Sequence, residues 1–358
     1  LFRHETLNRI NKLKQAAVKQ NKPIRFAIFN PANITYLTNS TGAAGLFIPG
    51  EGETILFASA VNYEYLKSEI KGFDVQRLKL GEKMIDKLKQ YISAEKISVD
   101  SLPIESWRWL SQVAGGEENL ELINNLICEL RKVKDEQEIM AIKEACKIAD
   151  IGIQTAQETI QAGLSEKDLA AEVEYAMRKA GSEGVAFESI IASGVCCAFP
   201  HGASMNKIIS KGDLVTVDIG AIVNFYRSDI TRTFIVGKAT DKQKKIYETV
   251  KLAHQKAYEA IKPQVSAKEV DYAGRQVIEK AGLGEFFVHN LGHGVGLEVH
   301  EYPVLSPNSR DILEVGNVVT DEPGVYIPGF CGVRIEDTVV VTKDGAEKLT
   351  KAPYASLS

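Results

Sequence analysis

Between His289 and Glu301 the chain reads HNLGHGVGLEVHE, placing three of its six histidines, His289, His293 and His300, within twelve residues. An i, i+4 pair such as His289 and His293 shares one face of a helix, as in helical metal sites, but Gly292, Gly294 and Gly296 at alternate positions oppose a helix. The stretch is expected to be extended, with glycines that admit other groups close to the backbone. A histidine by itself is an ordinary core or surface residue, so the weight falls on what accompanies these three. VTVDIGAIVNFYRSDITRTFIVG (215–237) and VVTDEPGVYIPGFCGVRIEDTVVVT (318–342) both read as apolar-flanked hairpins. Each has an acid on its first strand, Asp218 or Glu322, and another on its return strand, Asp229 or Glu336, two residues after an arginine, Arg227 or Arg334. Carboxylates buried in strands are costly unless they are paired or bind metal. Any single acid fits a strand residue paired with Arg227 or Arg334; matched placement of four points to more. Two Asp, two Glu and one His form an oxygen-rich set suited to two divalent cations, whereas a lone structural zinc draws on Cys and His.

The elements that must position these groups follow from periodicity. Two similar hairpins, each preceded by helices, indicate a duplicated unit whose halves meet face to face and bring the acids together. Helices are expected at Asp241–Ile261 and Ala267–Lys280 before the second hairpin, and at about 167–179 before the first, capped by Ser165 with Asp168 three residues on. Upstream, Leu130–Asp150 is dense in charge and then helical through Ile139, Ile142, Ala145 and Ile148. The domain boundary is placed near its start, dividing the chain into 1–130 and 131–358. The first part opens with an amphipathic helix over 4–21. Apolar runs at Ile24–Phe29, Gly45–Pro49, Thr54–Ala58, Val75–Leu78 and Ile97–Val99 then alternate with helix-like segments at Val61–Ile70, Glu82–Ile92 and Ile104–Val113, an α/β pattern. It has no Gly-rich phosphate loop and no cluster of ligand-type residues, and reads as a structural or substrate-limiting domain.

The 358 residues, 44% of them hydrophobic, suffice for two domains with sizeable cores. Forty-seven acidic against 43 basic residues leave a net charge of −4, which sets up no global field for nucleic acid or anionic membrane. No apolar run approaches the roughly 20 residues of a membrane span, and LFRHETLNRINKLKQ lacks the apolar core of a signal peptide; a cytoplasmic location is expected. Cys128, Cys146, Cys196, Cys197 and Cys331 form no CxxC pair and read as reduced thiols. Cys196 and Cys197 lie near His201, but nothing in the sequence marks a base, an orienting group or an oxyanion donor for a thiol nucleophile.

In their order, VDIGA, YRSDITRT, GHGVGLEVHE, EPGVYIPG and GVRIEDT resemble the pita-bread metallopeptidases, and among them the Xaa-Pro peptidase branch of prolidases and aminopeptidase P. The match is close over roughly 131–350. FESIIASGVCCAFPHG (187–202) resembles that family's approach to an active-site histidine, and NPANITYLTNSTG (30–42) resembles its creatinase-like N-terminal domain. The resemblance implies an α/β (α+β) chain with a creatinase-like N-terminal domain followed by a duplicated pita-bread catalytic domain. It implies that Asp218 binds one metal and His293 and Glu322 the other, with Asp229 and Glu336 bridging both. Mn²⁺ or Co²⁺ is the expected ion, and Zn²⁺ or Fe²⁺ also suits such donors. A water or hydroxide between cations about 3.5–4 Å apart is a nucleophile near neutral pH. It would attack the carbonyl before proline in an Xaa-Pro dipeptide or short peptide. Glu322 is then the implied proton shuttle to the leaving nitrogen, and His300 or His289 the group that stabilises the oxyanion or holds the substrate. His201 contacts the substrate backbone, and Arg334 orients Glu336 or Glu322. A homodimer is also implied.

Two positions depart from the family pattern. Val304 stands where many prolidases carry an arginine for the dipeptide carboxylate, which leaves longer Xaa-Pro peptides open as substrates. Asp321 replaces a usually apolar residue and is expected to face away from the metals. The competing readings are a metal-free peptide-binding protein on the same fold, a creatinase, which needs no metal cluster, and a methionine aminopeptidase, which usually lacks the N-terminal domain.

Overall fold

The apolar runs near the N-terminus become strands of one sheet. In the computed structural model, which describes residues 2–92, 95–202 and 206–356, helix α1 (Phe2–Lys19) is followed by β1 (Phe26–Ile28), α2 (Pro31–Thr38), β2 (Ala43–Ile48), β3 (Ile55–Ala58) and α3 (Tyr63–Glu69). Then come β4 (Asp74–Arg77), α4 (Met84–Leu88), β5 (Ile97–Val99), α5 (Ile104–Ala114), β6 (Leu120–Leu122) and α6 (Asn124–Lys132). The six strands lie in the order β4-β3-β2-β1-β5-β6, with β1 antiparallel to β2 and parallel to β5. Phe26, Phe47, Phe57 and Val99 are buried on it, and each such side chain contributes about 1.5–3 kcal/mol. Helix α2 was not expected from periodicity, because PANITYLT has no polar face. It is set by its ends: the Asn30 side chain accepts from the N–H groups of Ala32 and Asn33, Pro31 opens the first turn, and Asn39 closes the helix with a left-handed φ of 54°.

The chain divides into two units, Leu1–Arg131 and Lys132–Ser358. In the second, α7 (Glu136–Thr159) and α8 (Glu166–Lys179) precede β7 (Ile190–Ser193), β8 (Leu214–Ile219), a short ribbon of β9 (Ile222–Val223) and β10 (Tyr226–Arg227), and the return strand β11 (Ile230–Ile235). The pattern repeats with α9 (Asp241–Ala260), α10 (Ala267–Lys280), β12 (Gly292–Gly294), β13 (Glu301–Leu305), β14 (Val318–Asp321), a ribbon of β15 (Gly324–Ile327) and β16 (Cys331–Arg334), β17 (Asp337–Thr342) and β18 (Gly345–Lys348). The sheets are ordered β11-β8-β7 and β13-β12-β14-β17-β18, all antiparallel. Each half is thus a helix pair, an outer strand, a nested ribbon and a return strand, which is the duplication anticipated above.

The charge-dense segment splits where Asp135 caps α7, accepting from Gln137 and Glu138 while Glu138 accepts from the Asp135 N–H. Thr240 with Gln243 and Ser266 with Glu269 form the same reciprocal caps on α9 and α10. At α8 the expected box is one-sided: Ser165 Oγ accepts from the Asp168 N–H but donates to the Asp168 carboxylate. One apolar core joins the halves through Val217, Ile219 and Ile230 of the first sheet, Val319, Val339 and Val341 of the second, and Ile153, Val250 and Ala257 of the helices. Among the described residues, no helix is long and apolar enough to cross a membrane.

Candidate metal centre

Strand β8 is buried at all six positions, so Asp218 is dry on the face opposite Val217 and Ile219. The other three acids stand one residue outside the strands on which they were expected, because the chain bends there. Glu322 follows β14 and precedes Pro323, whose missing N–H ends the ladder. Asp229 and Glu336 occupy the steps from ribbon to return strand in the two halves. The halves are stitched together at these steps. The Glu336 N–H donates to Thr231 O at 3.1 Å, Thr231 Oγ1 donates to Glu336 Oε2 at 2.6 Å, and Thr338 Oγ1 donates to Asp229 O at 2.7 Å.

The histidine stretch forms no helix. It supplies β12, and the absence of side chains at Gly292 and Gly294 is required there: a Cβ on Gly292 would overlap Thr320 O and one on Gly294 would overlap Tyr302 O. This close approach presents His293 to the acids. Its N–H donates to Thr320 Oγ1 at 3.0 Å, and that hydroxyl donates to Glu322 Oε1 at 3.1 Å. His293 Nδ1 donates to Gly294 O at 3.1 Å, which leaves Nε2 facing Glu322 Oε1 at 3.2 Å and Asp229 Oδ2 at 3.8 Å. Ligand-capable atoms of Asp229, His293 and Glu336 all lie within 4.8 Å of one another.

Four carboxylates crowded in a dry site cannot all stay charged unaided. Burial first, then Glu336 and Asp218, push Asp229 well above the ordinary carboxylate range, and burial with Glu322 and Asp218 does the same to Glu336. Burial also raises Asp218, against the pull of Arg334. Glu322 moves the other way: burial opposes its charge, but the hydrogen bond and charge of His293 hold it at about 2. Among the described residues, Asp218 Oδ1 is buried with no hydrogen-bond partner. An oxygen-rich set with one imidazole, an orphaned carboxylate oxygen and acids holding protons against their nature fits divalent cations, which neutralise such a set without protons.

The expected supporting residues are brought in unequally. Arg334 is buried, but its carboxylate partner is Asp218, at 2.5 Å from Nη2, rather than Glu336 or Glu322. It reaches Glu336 only through Thr231, to which Nε donates at 3.1 Å. Arg227, its counterpart in the first half, donates to the carbonyls of Ala186 and Leu297. His289 is close, but both ring nitrogens are engaged, Nδ1 with Asn290 O at 2.7 Å and Nε2 with the Tyr326 hydroxyl at 2.9 Å. Burial lowers its pKa, so the ring is neutral. Tyr326, which the sequence did not single out, also accepts from Arg334 Nη1 at 2.8 Å. A continuous chain, His289–Tyr326–Arg334–Asp218, therefore flanks the acids. His300 is exposed, with its ring 4.2 Å from that of His293. His201 lies in an exposed turn, near enough to His300 to help lower its pKa after burial and His293 have done so. Arg334 Nη1 ties that turn to the centre by donating to Pro200 O at 3.3 Å. Burial raises both thiols beside it, Cys197 to about 11, which opposes a thiolate nucleophile. Val304 lies on β13, and Asp321 faces away from the acids onto His254 of α9, as expected.

Residues 140–343 match metallopeptidase family M24, and residues 9–133 match the creatinase/prolidase N-terminal domain. A curated Xaa-Pro dipeptidase from Pyrococcus furiosus is 41% identical over 338 residues, covering 93% of this chain and 94% of that protein. The crystal structure of a prolidase from Pyrococcus horikoshii superposes with a TM-score of 0.91 at 40% identity, over 97% of this chain and 99% of that one. An X-Pro aminopeptidase from Thermotoga maritima does so with a TM-score of 0.88 at 34% identity, over 97% and 99% of the two chains. The buried acids of the two repeated hairpins thus sit in a metal-dependent peptidase fold, and the chain belongs to metallopeptidase family M24.

Proposed function

We propose that this enzyme is a two-metal Xaa-Pro dipeptidase. The observation that carries the reading is the grouping of Asp229, His293 and Glu336, whose ligand-capable atoms lie within 4.8 Å of one another, with Glu322 3.2 Å from His293 and the buried Asp218 near enough to raise the pKa of Asp229. In this reading Asp218, His293, Glu322, Asp229 and Glu336 would hold two divalent ions, with Mn²⁺ or Co²⁺ as the proposed metal. Bound there, such ions would supply the positive charge that favours a nucleophilic water near neutral pH.

The protein's own groups do the rest. Glu322 accepts the proton of the attacking water and returns it to the leaving proline nitrogen. Thr320 orients that carboxylate through its hydroxyl. His300, exposed beside His293, takes the carbonyl oxygen or the peptide backbone, and His201 meets the substrate from its turn. His289 acts one step back from the substrate, through Tyr326 and Arg334, because both its nitrogens are occupied. An Xaa-Pro amide has no N–H to grip and a fixed φ, so a shaped pocket and a supplied proton suit this bond. Residues 1–130 form the substrate-limiting domain of this reading, consistent with the unit Leu1–Arg131. A homodimer is proposed with it, on the family resemblance.

Val304 favours a second reading, an Xaa-Pro aminopeptidase acting on longer peptides, since β13 offers no cation at that position for a dipeptide carboxylate. The two separate on incubation of metal-stripped enzyme with Ala-Pro and Ala-Pro-Ala, with and without Mn²⁺ or Co²⁺, and mass analysis of the products. Metal-dependent cleavage of Ala-Pro is expected. Cleavage of Ala-Pro-Ala alone, to Ala and Pro-Ala, establishes the second reading, and no cleavage of either removes the proline assignment.

A further inference from the structure

The strands adjoining Glu322 and Glu336 are joined, on the face away from the metal centre, by a side chain from a helix. Asp321 and Asp337 stand directly opposite each other in the antiparallel pair β14 and β17. Asp321 faces away from the metal centre and Asp337 stands opposite it, so these two carboxylates lie behind Glu322 and Glu336, which stand one residue beyond the paired strands. Both aspartates are fully buried, and like charges opposed across a dry pair of strands repel. His254 stands between them, with Nδ1 2.6 Å from Asp321 Oδ2 and Nε2 2.8 Å from Asp337 Oδ2. Asp337 is also held by Arg232 Nη2 and Lys348 Nζ, each at 2.7 Å, by the Tyr354 hydroxyl at 2.8 Å and by Thr350 Oγ1 at 2.9 Å. These cations fill the places a further metal would need. Asp321 is different: among the described residues, its side chain has His254 as its one hydrogen-bond partner.

We propose that His254 is a positioning residue of the metal centre, bridging Asp321 and Asp337 so that β14 and β17 keep the register at which Glu322 and Glu336 converge. A slip of one residue between the two strands would part Glu322 from Glu336. Imidazole suits the task because its two nitrogens meet carboxylates on opposite edges of one rigid ring. The ring is held in place by α9, which Val250, Ala253 and Ala257 anchor in the core. Arg232 extends the same frame to the ligand's own backbone, donating to Glu336 O at 2.5 Å and Thr231 O at 3.0 Å. The inference rests on the two-metal reading above.

Calorimetric titration of the metal-stripped full chain with Mn²⁺ tests it, using wild type, His254→Leu and the double variant His254→Leu/Asp321→Val. The double variant removes the carboxylate that the single variant strands, so it keeps the test open if the single variant does not fold. Wild type is expected to bind two Mn²⁺, and the variants to bind at least one of them about 10- to 100-fold more weakly. A purely stabilising role would lower the melting temperature of the single variant and leave Mn²⁺ affinity unchanged in the double. Wild-type affinity for both ions in a folded double variant overturns the positioning role. A wild-type chain that binds fewer than two ions overturns the two-metal reading, and this inference with it.

Discussion

Asp229 is under two opposed demands: folding buries it beside Glu336 and Asp218, and the proposed chemistry needs it charged. Asp229→Asn should therefore lower kcat/KM by about 1,000-fold, several kcal/mol of lost charge stabilisation. The metal-free variant should melt no lower than metal-free wild type near neutral pH, because a neutral amide removes the repulsion. Normal turnover at full metal occupancy would refute the bridging role. Arg334 is the reverse case. Arg334→Met leaves Asp218 buried without its cation, which should cost about 3–5 kcal/mol in the metal-free protein and less once Mn²⁺ is added, a difference that calorimetric melting with and without metal reads directly. The four acids stood out in the sequence because their type and spacing repeat in two hairpins, whereas the choice of His293 among three histidines rested on the family resemblance. Tyr326 and His254 did not stand out: a tyrosine in a ribbon and a histidine in a mostly polar helix look ordinary, and the partners of His254 lie 67 and 83 residues away. The carboxylate partner of Arg334 was misjudged for the same reason, since Asp218 is 116 residues distant and belongs to the other repeat.

At the scale of elements, β12 is the narrowest part of the design. Gly294→Ala forces a methyl against the Tyr302 carbonyl on β13, and backbone displacement of this kind costs about 1–3 kcal/mol. Because His293 is the neighbouring residue, the variant should lose bound metal out of proportion to its loss of stability. Metal analysis beside a melting curve checks this, and a destabilised variant that keeps its full metal content would contradict it. The long elements were readable, since α7, α9 and α10 carry periodic apolar faces and capping residues. Short pieces were less so: α2 is defined by Asn30, Pro31 and Asn39 rather than by a pattern, and β6, of three residues, has two exposed positions. The strand limits at Asp229, Glu322 and Glu336 were missed by one residue because only the pairing of the two halves shows where each ribbon departs from its outer strand.

At the scale of the whole molecule, the proposed metal centre would couple protons to metal binding. In the metal-free protein the pKa values of Asp229 and Glu336 are raised above their unfolded values. Their contribution to stability is therefore full below about pH 4 and is lost as pH rises through the raised values. Mn²⁺ replaces the protons, so the gap in melting temperature between loaded and stripped protein should widen from about pH 5 to 7. A gap that narrows over that range would mean the acids are not the ligands. The duplicated architecture explains why the site was visible before the fold: each repeat brings half of the acids, and their meeting is what strains them in the metal-free protein. The most direct test of the two-metal peptidase is to strip the enzyme with chelator, add Mn²⁺ in steps, and follow bound metal and Ala-Pro hydrolysis together. Turnover should be absent at the start and complete as the second equivalent per chain is bound. Full hydrolysis in the chelated enzyme, or saturation at a single ion, would contradict it.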